Sequence, residues 1–158
     1  MQEKENGSMV NVAVDAMGGD NAPSEIVKGA IDAVNGKENI KVFLVGRQEA
    51  VEDALAGLSY DKSRVEIVPA TEVIETAEPP VMAIRKKKDS SIVVGQKLVK
   101  DGICDAFVSA GSSGAVLVGG QFIVGRIKGV ERPPLAPLIP TAKGNSLLID
   151  CGANVDAR

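Results

Sequence analysis

Short apolar runs alternate with segments of helical periodicity along almost the whole of this chain, a pattern that predicts a mostly parallel sheet covered by helices on both faces, a three-layer α/β fold. Residues 10–14 read as the first strand. Residues 24–35 read as a helix capped by Ser24, with Val27, Ala30, Ile31 and Val34 on one face and Gly36 at its end. A second strand is expected over 40–45, and a second helix over 48–58, where Val51, Ala54, Leu55 and Leu58 fall at i, i+3, i+4 and i+7. A third strand follows over 65–68. Glu78-Pro79-Pro80 then breaks the array, after which 81–88 reads as a short basic helix, 91–101 as a longer one, 107–110 as a strand and 115–126 as an apolar helix. Beyond Pro133-Pro134, residues 135–139 and 147–150 read as further strands.

With 158 residues, 44% of them hydrophobic, the chain can bury one substantial core. Residues 1–8 are polar and lack an apolar signal core, so they read as a disordered or appended leader. Residues 9–158 read as the amino-terminal part of a single α/β catalytic domain whose remainder is absent, because a parallel strand near residue 150 needs a covering helix that does not follow. The net charge of −3, with 3% aromatic residues and no Trp, gives neither the basic field nor the stacking surface of a nucleic-acid binder. No apolar run approaches the ~20 residues of a bilayer span. Cys104 and Cys151 have no CxxC spacing, which argues against a disulfide framework or a zinc site and for a reduced, cytoplasmic setting. The chain contains no His, which removes Ser-His-Asp and Cys-His catalysis, and imidazole metal ligation, from this stretch. No metal or cofactor is expected.

Three loops at predicted strand ends carry the polar chemistry. The first, Asp15-Ala16-Met17-Gly18-Gly19-Asp20-Asn21, combines a glycine turn with carboxylates at the edge where α/β sheets bind ligands. The second, Ser109-Ala110-Gly111-Ser112-Ser113-Gly114, offers backbone N–H groups and hydroxyls ahead of a helix, a ready cradle for an anion. The third is Asp150-Cys151-Gly152-Ala153-Asn154. Each also reads as a plain tight turn whose polar side chains serve the backbone. Convergence of all three on one sheet edge would make a shared site. Between them lies Arg85-Lys86-Lys87-Lys88, either a solvated helix face or a docking patch for an acidic partner.

The segments VDAMGGDNAP (14–23), PVMAIRKKKDSS (80–91), FVSAGSSGA (107–115) with FIVGRIKGVERP (122–133), and LIDCGANVD (148–156) resemble, in order and spacing, the amino-terminal half of the bacterial phosphate acyltransferase (PlsX) family. The resemblance covers the chain from Met9 onward. It departs at Ser112 and Ser113, where the family commonly has Asn and Thr, and at Cys151, where it often has Val.

The resemblance implies a fold related to phosphotransacetylases and isocitrate-type dehydrogenases. It implies transfer of a long-chain acyl group from acyl carrier protein to inorganic phosphate, giving acyl phosphate for phospholipid synthesis. It further implies a cytoplasmic homodimer, with peripheral membrane association through the missing half. Phosphate is already an anionic nucleophile and the thiol leaves as thiolate, so a site without histidine suffices. On this reading Ser112, Ser113 and Asn154 are the catalytic candidates. Gly18, Gly19, Asp20, Asn21, Gly111, Gly114 and Gly152 are the substrate- and phosphate-binding ones, with Asn21 and Asn154 orienting the thioester. Asp15, Asp20 and Asp150 are expected to orient the loops. Arg85, Lys86 and Lys87 become candidates for docking the acidic carrier. The competing readings are a phosphotransacetylase-like enzyme using acyl-coenzyme A, a nicotinamide dehydrogenase disfavoured by the missing GxGxxG, and an inactive ligand-binding fragment.

Overall fold

A computed structural model describes residues 8–131 and 133–149, and the chain divides into two compact units after Gly125. The first unit carries a four-stranded parallel sheet in the order β3-β2-β1-β4, built from β1 (Val10–Asp15), β2 (Ile40–Gly46), β3 (Val65–Pro69) and β4 (Ala106–Val108). Its helices are α1 (Ser24–Gly36), α2 (Gln48–Leu55), α3 (Pro80–Lys86), α4 (Ser91–Lys100) and α5 (Ser113–Gly119).

Alternation along the strands divides the core between the two sheet faces. Val14, Val42 and Leu44 meet Val27, Ala30, Ile31 and Val34 of α1 and Val51 and Leu55 of α2. On the opposite face Ala13, Phe43, Val45 and Cys104 meet Val94, Leu98 and Val99 around α4. Leu44, Val27, Val34 and Val51 are entirely shielded from solvent, and each such side chain contributes about 1.5–3 kcal/mol of transfer free energy. A third cluster joins Ala83 and Ile84 of α3, Ile92 and Val93 of α4, Ala115 of α5, and Ile74. This cluster sets the start of α5 beside α3. Val108 on the three-residue β4 is half exposed, and an apolar groove of about 320 Å³ runs past it along Val12, Val14, Ile26 and Ala33.

Several local expectations are corrected. Ser24 does not cap α1: Pro23 takes the cap position with no side-chain bond, and the Ser24 hydroxyl donates to the Asn21 carbonyl at 3.2 Å. The second helix ends at Leu55, before Gly57 at φ +81°, and Leu58 nevertheless packs against the core. The apolar helix begins two residues early, at Ser113, because Ser112 caps it. After Gly119 it widens into a π-helical turn, Gly120–Val124, and Gly125 at φ +107° ends it.

The second unit holds β5 (Leu138–Thr141) and β6 (Gly144–Leu147). The strands expected over 135–139 and 147–150, the last residue of which lies outside the described residues, give way to this antiparallel hairpin, with Leu138 opposite Leu147 and Thr141 opposite Gly144. Local turn chemistry decides it. Gly144 at φ +126° and the Thr141 hydroxyl, donating to the Gly144 carbonyl at 2.7 Å, close the connection.

Candidate active site

β1 and β4 are direct parallel neighbours, Val14 opposite Val108, so the first two glycine loops leave the same sheet edge side by side. Asp15 is the buried hinge between them. One of its carboxylate oxygens accepts from the Met17 backbone N–H at 3.1 Å, the other from the Ser109 hydroxyl at 2.7 Å. Ser109 Oγ in turn accepts from the Gly111 N–H at 3.0 Å. The expectation that Asp15 orients the loop backbone is therefore met in detail.

Gly18 serves loop contact. A Cβ there would lie 2.8 Å from the Gly111 nitrogen, so only glycine lets the two loops touch. Gly19 sits above Ala110 at φ +104°, a conformation that other L residues rarely adopt. Asp20 and Asn21 stand exposed at the head of the first loop.

The two serines of the second loop have different environments. Ser112 is buried, and its Oγ accepts from the Ala115 N–H at 3.3 Å as the amino-terminal cap of α5. Ser113 is exposed, and among the described residues its hydroxyl has no partner. The N–H groups of Ser113 and Gly114 precede the first intrahelical bond, so they are free to meet an anion. Gly114 faces the Pro80 ring, whose Cγ would lie 2.7 Å from an added Cβ. The start of α3 is thus a wall of the site, marked in the sequence only by Glu78-Pro79-Pro80, which places a proline at the first position of the helix.

The basic cluster divides in the same way. Arg85 and Lys86 are exposed on α3. Lys87 turns inward, where its ammonium donates to the Val73 carbonyl at 2.6 Å and forms an ion pair with Glu78. That ammonium, with the Glu75 backbone N–H, holds the Glu78 carboxyl below its ordinary range. The hydroxyl and N–H of Thr71 do the same for Asp89. Asp150, Cys151, Gly152 and Asn154, and with them the third loop, lie outside the described residues. Among the described residues no group of acidic or cysteine side chains is arranged to hold a metal ion, and no helix is long and apolar enough to cross a membrane.

The fold is similar to that of phosphotransacetylases. The crystal structure of a phosphotransacetylase from Streptococcus pyogenes superimposes with a TM-score of 0.64 at 20% identity, over 94% of this chain and 49% of that one. The chain itself belongs to the family described as fatty acid synthesis protein, whose model matches residues 10–158. It is 50% identical over 149 residues to the putative phosphate acyltransferase of Clostridium perfringens strain 13, covering 94% of this chain and 44% of that protein. It is equally similar to the phosphate acyltransferase of Clostridium beijerinckii, again over 94% of this chain and 45% of the relative. The chain thus spans somewhat under half the length of the relatives it matches. The likeness read from the four sequence segments holds as family membership.

Proposed function

We propose that this protein acts as a phosphate acyltransferase, moving a long-chain acyl group from acyl carrier protein to inorganic phosphate and so forming acyl phosphate for phospholipid synthesis. The observation that carries the reading is the contact of the β1 and β4 loops, Gly18 against Gly111, in a chain half identical to named phosphate acyltransferases. In the reaction a phosphate oxygen attacks the thioester carbonyl carbon. A C–O bond forms, the C–S bond breaks, and the departing thiolate takes a proton from solvent. Neither partner needs a strong base, so position and charge compensation are the enzyme's main contributions.

The exposed Ser113 hydroxyl and the N–H groups of Ser113 and Gly114 bind phosphate or the developing oxyanion, while Asn21, together with Asn154, orients the thioester. Ser112 acts by holding the turn, since its oxygen already caps α5. Gly19 and Asp20 shape the facing loop, and Gly152 belongs with Asn154. The protein works as a homodimer in the cytoplasm, peripherally at the inner face of the membrane.

Hydroxylamine trapping tests this directly. The protein, alone and joined to the downstream half of the Clostridium perfringens relative, is given long-chain acyl carrier protein with and without phosphate. Phosphate-dependent hydroxamate that falls sharply in Ser113→Ala is expected. Product from acyl-coenzyme A and none from the carrier thioester would move the assignment to a phosphotransacetylase-like activity, and no product from either would overturn it.

A further inference from the structure

The outward face of α3 alternates apolar and cationic groups at helical spacing. Val81 and Arg85 are four residues apart, as are Met82 and Lys86, so the four share one stripe. All four are exposed, Val81 at 42% and Met82 at 47%, while the opposite face of the helix buries Ala83 and Ile84. The face therefore offers two apolar side chains and two cations side by side, a local positive patch in a chain whose net charge is −3.

Nearby acids do not neutralise the stripe. Glu78 is paired with Lys87, and Asp89 accepts from the Thr71 hydroxyl and N–H. Lys88 folds back, its ammonium donating to the Ile84 carbonyl at 3.2 Å, which leaves Arg85 and Lys86 as the outward charges of the helix. The stripe also has a fixed relation to the candidate site. α3 begins at Pro80, the residue that faces Gly114, and its seven residues extend about 10 Å from there.

We propose that this face, Val81, Met82, Arg85 and Lys86, docks an acidic amphipathic helix of the protein that carries the acyl thioester. The inference rests on the acyl-carrier reading above and assigns its recognition surface. Met82 and Val81 take the apolar side of the incoming helix, thioether flexibility allowing Met82 to adapt to it. Arg85 and Lys86 meet its carboxylates and steer the encounter. A carrier held there presents its thiol arm to the Ser113–Gly114 end of α3. Lys87 takes no part, because it secures the helix from within. A bilayer is the less suitable occupant, since a seven-residue helix with two exposed apolar side chains offers little area to bury in lipid.

The test is fluorescence anisotropy of labelled acyl carrier protein on the chain, at low and at high salt. Arg85→Glu with Lys86→Glu should weaken binding by about tenfold or more, since two steering charges become repulsive. Met82→Ala should weaken it while leaving the salt dependence intact. Lys28→Glu with Lys62→Glu, an equal charge change at exposed positions elsewhere, should leave binding unchanged. Equal losses in both double variants, salt-independent binding, or binding to phosphatidylglycerol vesicles with none to the carrier would each overturn the proposal. Turnover separates it from the parent reading. The α3 variant should raise KM for the carrier thioester and leave kcat/KM for acyl-coenzyme A alone. Carrier binding that depends on Arg85 in a protein that makes no acyl phosphate would keep the docking face and remove the transferase.

Discussion

Ser109 donates its hydroxyl proton to Asp15 at 2.7 Å, joining residues 94 positions apart across the β1–β4 seam. Because Asp15 also accepts from Met17 and Ser109 from Gly111, one buried carboxylate sets the backbone of both loops. Loss of either side chain therefore reaches the other loop.

Asp15→Ala should lower stability by about 1–3 kcal/mol, because it leaves the half-buried Ser109 hydroxyl and the Met17 backbone N–H without their acceptor. Asp15→Asn should cost clearly less, since its amide can still accept from Met17 and donate to Ser109 Oγ. Urea unfolding midpoints of the two variants check the order, and equal losses would contradict the two-acceptor role.

Gly114→Ala places a methyl group 2.7 Å from the Pro80 ring. Overpacking of this kind costs about 1–3 kcal/mol. Adding Pro80→Ala should recover part of the loss, and a double-mutant cycle on thermal stability reads the coupling. Strict additivity would mean that α3 and the loop move apart freely.

The Glu78–Lys87 pair should make the first unit sensitive to acid. Lys87 lowers the carboxyl of Glu78 below its ordinary value of 4.5, so the unfolded chain takes up the proton first. The stabilisation is present above pH 4.5 and is lost as pH falls through the lower folded value. Lys87→Met should flatten this acid slope in urea midpoints measured as a function of pH.

Cys104 should titrate in the opposite direction. Burial, reinforced by Asp105 and Glu66, pushes its thiol from 9.0 up to about 11. The unfolded thiol ionises first, so the associated stability is present below pH 9.0 and disappears as pH rises towards about 11. Peptide mapping after alkylation at neutral pH should find Cys104 unmodified in the folded protein and modified in urea.

Gln96 is buried between α4 and α5, its amide nitrogen donating to the Val116 carbonyl at 2.8 Å while Oε1 has no partner among the described residues. The Gly120 N–H also bonds the Val116 carbonyl. Gln96→Met removes the unpartnered oxygen without stranding that carbonyl, so thermal stability should change by no more than about 1 kcal/mol. A large loss would mean that the amide itself holds α5 in place.

The sheet and its helices were legible because a parallel strand must be apolar on both faces and a covering helix on one. Val27, Ala30, Ile31 and Val34 declare that face without any neighbour being known. The errors fell where one residue decides the outcome: Ser24, which bonds backward to Asn21, and Gly144, which turns the chain into a hairpin. Composition cannot weigh such local geometry.

Sequence alone determined the α/β alternation, the lack of histidine in these 158 residues and the family, because periodicity, residue inventory and motif order belong to the chain itself. Only the tertiary structure decided that Ser112 caps while Ser113 stays free, that Lys87 turns inward while Arg85 and Lys86 face out, and that Pro80 forms a wall of the site. Adjacent residues of like chemistry look equivalent in a sequence. Packing distinguishes them, since a helical step of one residue can turn a side chain from solvent into the core.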